Sequence, residues 1–200
     1  MRLFVLLCLF TAFAGAVYAQ DGFQPLFDGK SLDGWEGDSR LWRVENGELV
    51  GSTDGVKITH NTFLIYRKAE FGNFVLRAEV KMRNGNSGIQ FRSTALENFV
   101  VHGYQADMAH NNWWGSIYDE KGKRGVMVNG WKGKAQHVVH SGWNDVSIHC
   151  QGDLIRVTVN GMVTSELQDD AKLSGVVALQ LHTGPEMETR FRNIRVKTLP

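Results

Sequence analysis

The stretch that decides the fold is Asn73–Met82, which reads NFVLRAEVKM. Apolar side chains occupy every second position from Phe74 to Met82, and mostly charged side chains lie between them. A period of two residues is typical of a β-strand that buries one of its faces. The stretch therefore predicts a half-buried strand.

The same alternation recurs along the chain at short intervals. It predicts further strands at Gly88–Arg92, Val100–Met108, Trp143–Cys150, Leu154–Asn160, Val176–His182 and Phe191–Val196. The pair Asn160-Gly161 predicts a two-residue hairpin turn of type I′. Many short strands separated by turn residues favour an antiparallel β-sandwich or barrel.

One segment, Ala109–Gln136, does not show this alternation. It carries Trp113, Trp114 and Trp131 among five glycines, and its length predicts a long loop. Loops of this length in compact domains are usually functional or disordered, and three tryptophans argue against disorder. Aromatic side chains here could stack on sugar rings or could form a small core of the loop itself. The sequence leaves both open.

The first nineteen residues have the pattern of a secretory signal peptide. Arg2 precedes a run of apolar and small residues, and Val17-Tyr18-Ala19 supplies a small residue at the −3 and −1 positions of a cleavage site before Gln20. The predicted organisation is a signal peptide at 1–19 and one domain at 20–200, with a periplasmic or secreted location in a bacterium. The alternative is an uncleaved N-terminal anchor. No later stretch reaches the roughly 20 apolar residues of a membrane span.

Charge and cysteine content narrow the possible partners. Lys and Arg together number 22 against 21 Asp and Glu, for a net charge of +1. Without a basic excess to neutralise phosphates, a nucleic-acid partner is not expected. Removal of the signal peptide leaves Cys150 alone, so no intramolecular disulfide is expected. Its phase with Val146 and Ile148 predicts a buried, inert thiol.

Strand phase also predicts which side chains share the face turned away from the core. These are Arg77, Glu79, Gln90, Arg92, Gln105, Asp107, Gln180 and His182. Amides, guanidinium groups, carboxylates and imidazole fix sugar hydroxyls by directional hydrogen bonds. The set predicts a ligand-binding groove of exposed side chains, and the alternative is a solvated sheet face with ordinary cross-strand pairs.

The same residues offer chemistry. With an ordinary pKa near 6.5, His182 could exchange a proton at neutral pH. Asp107 or Glu79 could orient it, act as a base or ligate a metal, and Arg92 could stabilise an oxyanion. A divalent metal is a possible cofactor, although its ligands would have to come from separate strands because no His-x-x-x-His spacing is present.

Several segments, in order, resemble the 3-keto-disaccharide hydrolase domain family. They are Leu26–Trp35 (LFDGKSLDGW), Trp42–Gly51 (WRVENGELVG), Glu70–Glu79, Gly85–Arg92 (GNSGIQFR), Gly103–Asp107 (GYQAD), Trp114–Glu120 (WGSIYDE), Ala178–His182 (ALQLH) and Phe191–Arg195 (FRNIR). The resemblance extends from about Leu26 to Leu199. It implies an all-β fold, a concanavalin A-like jelly-roll sandwich of two antiparallel sheets.

The resemblance also implies cleavage of glycosides that carry a ketone at C3. The ketone acidifies the C2 hydrogen, so a base can form an enolate and the anomeric group can leave by elimination. On this interpretation the substrate is a carbohydrate, His182, Asp107 and Glu79 are candidates for proton transfer or metal binding, and Arg92 stabilises the enolate oxygen. Contacts to the sugar are predicted for Gln90, Gln105, Gln180, Trp114 and Tyr118. The alternative function is a non-catalytic carbohydrate-binding module or lectin-like domain of the cell envelope.

Overall fold

The computed structural model describes residues 21–109 and 112–200, so the predicted signal peptide lies outside the described residues. Sheet A has the spatial order β13 (Met162–Gln168), β12 (Leu154–Val159), β11 (Asn144–Gln151), β6 (Phe74–Met82), β15 (Glu188–Thr198), β4 (Glu48–Ser52) and β3 (Trp42–Glu45), with β1 (Gln24–Pro25) also paired to β15. Sheet B has the order β10 (Gly125–Val128), β9 (Asn112–Glu120), β8 (Val101–Ala109), β7 (Asn86–Ala95), β14 (Val176–Leu181), β5 (Thr62–Tyr66) and β2 (Trp35–Glu36). A short 3-10 turn covers Ala135–His137, and within these described ranges no helix is long and apolar enough to cross a membrane.

The core lies between the two antiparallel sheets, and the alternating residues fill it. Sheet A contributes the apolar side of β6, where Phe74, Leu76 and Val80 have no solvent exposure. Sheet B contributes Ile89, Phe91, Tyr104, Ala106, Val177, Leu179 and Leu181. The all-β class and the seven strands predicted from alternation are confirmed.

Two local predictions also hold. Asn160 and Gly161, between β12 and β13, both have positive φ, at 47° and 82°. Positive φ at both central residues is what a type I′ turn requires. Cys150 is a free, fully buried thiol, and burial raises its pKa to about 12.

The prediction of one long loop at Ala109–Gln136 was wrong. Two strands, β9 and β10, form a hairpin within it, and the loop that follows is correspondingly shorter. Gly115 interrupts the alternation with a φ of 72°, and its carbonyl oxygen accepts hydrogen bonds from the hydroxyls of Thr164 and Ser165 on β13 of the other sheet. An irregular strand of this kind has no clean two-residue period, so the pattern could not reveal it.

A β-bulge in β7 overturns the predicted orientation of Arg92. The pairing of β7 with β8 shifts between Phe91 and Thr94, and Arg92 has a φ of 46°. The bulge turns Arg92 off the face it would share with Gln90, and its side chain is fully buried. Its Nε donates to the Gly72 carbonyl at 2.9 Å, and its Nη1 donates to the Gly152 carbonyl at 2.8 Å. Arg92 therefore ties β7 of sheet B to the bend before β6 and to the turn between β11 and β12 in sheet A.

We expect Arg92→Ala to lower the free energy of unfolding by about 3 kcal/mol, because it creates a cavity and leaves two carbonyl acceptors without their donors. Phe91→Ala should cost about 3–5 kcal/mol as a core deletion. The matched control is Arg40→Ala, whose exposed ion pair with Asp38 should contribute little to the free energy of unfolding. Urea denaturation measures all three, and an Arg92 variant as stable as the Arg40 variant would contradict the structural role.

Candidate functional site

The face of sheet B turned away from the core collects polar side chains from four adjacent strands. Across the strands, Gln90 pairs with Gln105, Gln105 pairs with Tyr118, and Gly88 pairs with Asp107. We call this surface the polar face and define it by Gln90, Gln105, Asp107, Tyr118, Glu120 and Gln180. Five of these six are residues that the sequence predicted for the site.

Most side chains of the polar face are buried, which corrects the expectation of exposed side chains. Gln90 and Gln180 are fully buried, and Asp107 and Glu120 are each 5% exposed. An apolar cluster shares the same side of the sheet: Phe63, Ile65, Val101, Val176 and Ala178. Buried polar groups must find partners within the protein, so these side chains must hydrogen-bond to one another.

The amides form a directed chain of hydrogen bonds that ends at the two carboxyl groups. Ser93 Oγ donates to Gln90 Oε1 at 2.8 Å, and Gln90 Nε2 donates to Gln105 Oε1 at 2.6 Å. Gln105 Nε2 then donates to Asp107 Oδ1 at 3.2 Å and to Gln180 Oε1 at 3.4 Å. Gln180 Nε2 completes the chain with a 3.2 Å bond to Glu120 Oε2.

The two carboxyl groups receive their donors differently. Among the residues that the structure describes, the Gln105 amide and the Met108 backbone N–H donate to Asp107, and both bind Oδ1, so Oδ2 is the oxygen available to carry a proton. Glu120 accepts Asn61 on one oxygen and Gln180 on the other. Hydrogen bonds to both oxygens favour the charged form of Glu120.

Burial raises the pKa of both carboxyl groups. The pKa of Asp107 is raised to about 7, mainly by desolvation and to a smaller extent by the charge of Glu120, while the hydrogen bonds from Gln105 and Met108 act in the opposite direction. Desolvation also raises the pKa of Glu120, while its hydrogen bonds and the nearby His182 act in the opposite direction. A carboxyl group that titrates near pH 7 is suited to proton transfer.

Tyr118 and His182 lie at the partly exposed rim of the polar face. Burial and the charges of Glu120 and Asp107 raise the pKa of Tyr118, so its hydroxyl stays protonated and can donate a hydrogen bond. His182 follows β14, and its Nδ1 contacts the Thr183 carbonyl, which requires Nδ1 to carry the hydrogen.

Gly88 provides the space in which the amide chain lies. A Cβ at this position would sit 2.4 Å from Cδ of Gln105. The absence of a side chain opposite Asp107 therefore lets Gln105 reach both Asp107 and Gln180.

Three predicted site residues lie elsewhere. Glu79 belongs to β6 of sheet A, where Arg192 donates to its Oε2 at 2.7 Å, so it cannot join Asp107. Trp114 is buried in the core beside the β9 bulge, and Arg92 is turned away by the β7 bulge. Because Glu79 is on the other sheet, the three suggested metal ligands do not converge. Within residues 21–109 and 112–200, no group of three or more His, Cys, Asp or Glu side chains has a metal-binding arrangement.

Sequence reasoning missed Glu120, Asn61 and Ser93. Glu120 was hidden in the segment interpreted as a loop, and the register of β9 against β8 places it opposite Gly103, next to the pair of Gln105 and Tyr118. Ser93 reaches the polar face because the bulge moves it into the place expected for Arg92. The motif around Glu120, WGSIYDE, was the available signal, because alternation from Ser116 would have placed Tyr118 and Glu120 on one face.

The family assignment follows from a match along nearly the entire described chain. The sequence model of a protein family described as the 3-keto-alpha-glucoside-1,2-lyase-like domain matches residues 22–197. The chain belongs to this family. The resemblance identified from the sequence motifs is thereby confirmed, and no protein among those with curated functions matches this lyase-like domain.

Solved structures share the fold of this lyase-like domain. A "putative glycosyl hydrolase" from Parabacteroides distasonis ATCC 8503 is 24% identical, with a TM-score of 0.66 over 88% of this chain and 99% of that chain. The carbohydrate-binding module CBM66 from Bacillus subtilis is 14% identical, with a TM-score of 0.65 over 82% of this chain and 96% of that chain. A protein of unknown function with a galectin-like fold from Bacillus subtilis is 9% identical, with a TM-score of 0.55 over 88% of this chain and 94% of that chain. At these identities the likeness establishes the jelly-roll sandwich alone.

The raised pKa of Asp107 predicts a specific pH dependence of stability in the lyase-like domain. Between the unfolded value near 4 and the folded value of about 7, the folded state binds more protons, so the stability due to Asp107 is lost as pH rises through this range. The Asp107→Asn side chain cannot ionise, so the variant does not lose this stability. The difference between its free energy of unfolding and that of the wild type should therefore increase by roughly 2–4 kcal/mol from pH 4 to pH 8, in favour of the variant.

Urea denaturation at pH 4, 6 and 8 provides the measurement. The matched control is Asp145→Asn on the exposed face of sheet A, where the carboxylate stays in water. The free energy of unfolding of this control should change with pH as that of the wild type does. A parallel profile for Asp107→Asn as well would refute the burial argument.

Proposed function

We propose that this domain is an enzyme that cleaves 3-keto-glycosides by elimination between C1 and C2. The observation that carries the proposal is the pair of enclosed carboxyl groups, Asp107 and Glu120, joined through Gln105 and Gln180. Membership of a family described as lyase-like supports this reaction class, and sugar-related neighbours with the same fold are consistent with a carbohydrate ligand.

Glu120 is proposed as the base. Its two oxygens accept amide hydrogens and it lies near His182, so it is the better placed of the two carboxyls to be ionised. It takes the hydrogen from C2, whose acidity the C3 ketone increases. The C–H electron pair moves into an enolate, and the negative charge rests on the oxygen at C3.

Asp107 is proposed as the acid and Tyr118 as the enolate donor. As the enolate carbonyl re-forms, the C1=C2 double bond forms, the C1–O bond breaks, and the leaving oxygen takes its electron pair and the proton from Asp107 Oδ2. Tyr118 keeps its phenolic hydrogen and can donate it to the C3 oxygen. Addition of water across C1=C2, with both proton transfers reversed, gives net hydrolysis.

The amides have a separate task. Gln105 and Gln180 each donate to one carboxyl group and thereby hold the acid and the base in fixed positions. Gln90, held by Ser93, fixes the orientation of Gln105. His182 acts through Glu120, whose charged form it favours.

The direct test is incubation with a 3-keto-disaccharide and with its unoxidised parent. We expect sugar release from the keto form alone. Glu120→Gln and Asp107→Asn should each lower kcat by about 10²–10⁴-fold, and Tyr118→Phe by about 10²-fold.

Glu79→Gln supplies the matched control for Glu120→Gln, because Glu79 lies on the other sheet. It should retain wild-type turnover. If the wild type and all of the variants bind the keto sugar saturably without turnover, the result would favour the alternative function, a carbohydrate-binding module. Full activity of Glu120→Gln would overturn the assigned roles.

The proposed roles also predict a bell-shaped pH profile of kcat/KM. Activity should fall at low pH as Glu120 becomes protonated, and should fall above about pH 7 as Asp107 loses its proton. Asp107→Asn should lose the alkaline limb from its residual activity and keep the acidic limb. Initial rates with the 3-keto-disaccharide between pH 4 and 9 measure both limbs, and an unchanged alkaline limb in the variant would contradict the role of Asp107.

A further inference from the structure

A cleft of about 600 Å³ opens at the end of the sandwich, away from the polar face. It lies where β6 ends and β9 begins, and its lining includes Trp114, Trp131, Lys81, His140, Ser141 and Arg190. Trp114 is six residues before Glu120 on the same strand, which is roughly 20 Å along an extended chain. A cleft of this volume is within the range of small-ligand sites.

Hydrogen bonds hold one wall of the cleft in a fixed shape. The buried side chain of Asn144 accepts the His140 backbone N–H at 2.8 Å and donates to the His140 carbonyl at 2.9 Å. At the other end of the same loop, the Gly130 N–H donates to Ser116 Oγ at 2.9 Å. A wall fixed at both ends loses little conformational entropy when a ligand binds.

The aromatic side chains give the cleft an apolar surface. Trp114 is buried behind it, while Trp131 is partly exposed and packs against the core cluster. The C–H face of a pyranose ring is apolar and packs on an indole, and its hydroxyls need polar partners at the edges. His140 and Ser141, both exposed at the rim, supply them.

The cationic side chains of the lining are not equivalent. Arg83 binds Asp54 at 2.6 Å, and Arg190 binds Glu48 at 2.9 Å and Glu188, a carboxylate of the lining, at 2.8 Å. Lys81 is exposed and, among the residues that the structure describes, has no carboxylate within 4.0 Å. One cation of the cleft lining is therefore available to an anionic group of a ligand.

We propose that this cleft binds a pyranoside that carries a carboxylate, a uronic acid residue of a glycan. The sugar ring stacks on Trp131 and the carboxylate pairs with Lys81. The site is separate from the polar face and does not depend on the reaction proposed there. It gives the domain a contact with an acidic glycan chain that is separate from the polar face.

The test uses methyl β-D-glucuronide as the acidic probe and methyl β-D-glucoside as the neutral one. Titration of the full chain, followed by the indole N–H signals in NMR spectra, should give a saturable shift of the Trp131 signal with the glucuronide. The glucoside should bind at least about tenfold more weakly, because it lacks the charge-assisted contact.

Substitutions at three positions test whether the glucuronide binds at Lys81 and independently of the polar face. Lys81→Gln, an exposed position at which folding is not at risk, should weaken glucuronide binding about tenfold, and Lys123→Gln in the turn after β9 should leave it unchanged. Asp107→Asn should bind the glucuronide as the wild type does. The absence of a saturable shift, equal binding of the neutral glucoside, unchanged binding by Lys81→Gln or loss of binding in Asp107→Asn would each overturn the proposal.

Discussion

The candidate site depends on the hydrogen bond from Gln90 to Gln105, made where neither amide reaches water. A buried amide left without partners costs several times what one hydrogen bond contributes, so each amide must take the orientation that its neighbour allows. The donor sequence thus runs in one direction, from Ser93 to Asp107 and through Gln180 to Glu120. The enclosure that imposes this order also raises the pKa of both carboxyl groups.

The bulge in β7 connects this network to the architecture of the sandwich. By adopting a left-handed conformation, Arg92 leaves the polar face and Ser93 takes its place as the first donor of the chain. Gly175 of the segment before β14 lies so close to the bulge that a Cβ would be 2.4 Å from the Ser93 carbonyl oxygen. The guanidinium group meanwhile bonds to turns of sheet A. One irregularity therefore supplies both a link between the sheets and a component of the site.

Strand β9 relates the two surfaces on which the proposals rest. Its first half carries Trp114 into the core behind the cleft, and its second half carries Tyr118 and Glu120 to the polar face. Between them, Gly115 bends the strand and accepts hydroxyl donors from β13. Since β9 is held to sheet A at this point, the cleft and the polar face are parts of one packed scaffold rather than of separate loops.

Alternation alone predicted an all-β sandwich or barrel, because a period of two records which face of a regular strand is buried, and the family resemblance selected the sandwich. Alternation also placed Gln90, Gln105, Asp107 and Gln180 on one face. In each of their strands the two-residue alternation is regular up to these positions. The positions of Arg92, Trp114 and Glu79 were decided by tertiary structure. A bulge shifts the phase by one residue, and phase says nothing about which of two sheets a strand joins. Glu120 came to the site through the register of β9, which is set by hydrogen bonds between strands and not by the order of residues within one strand.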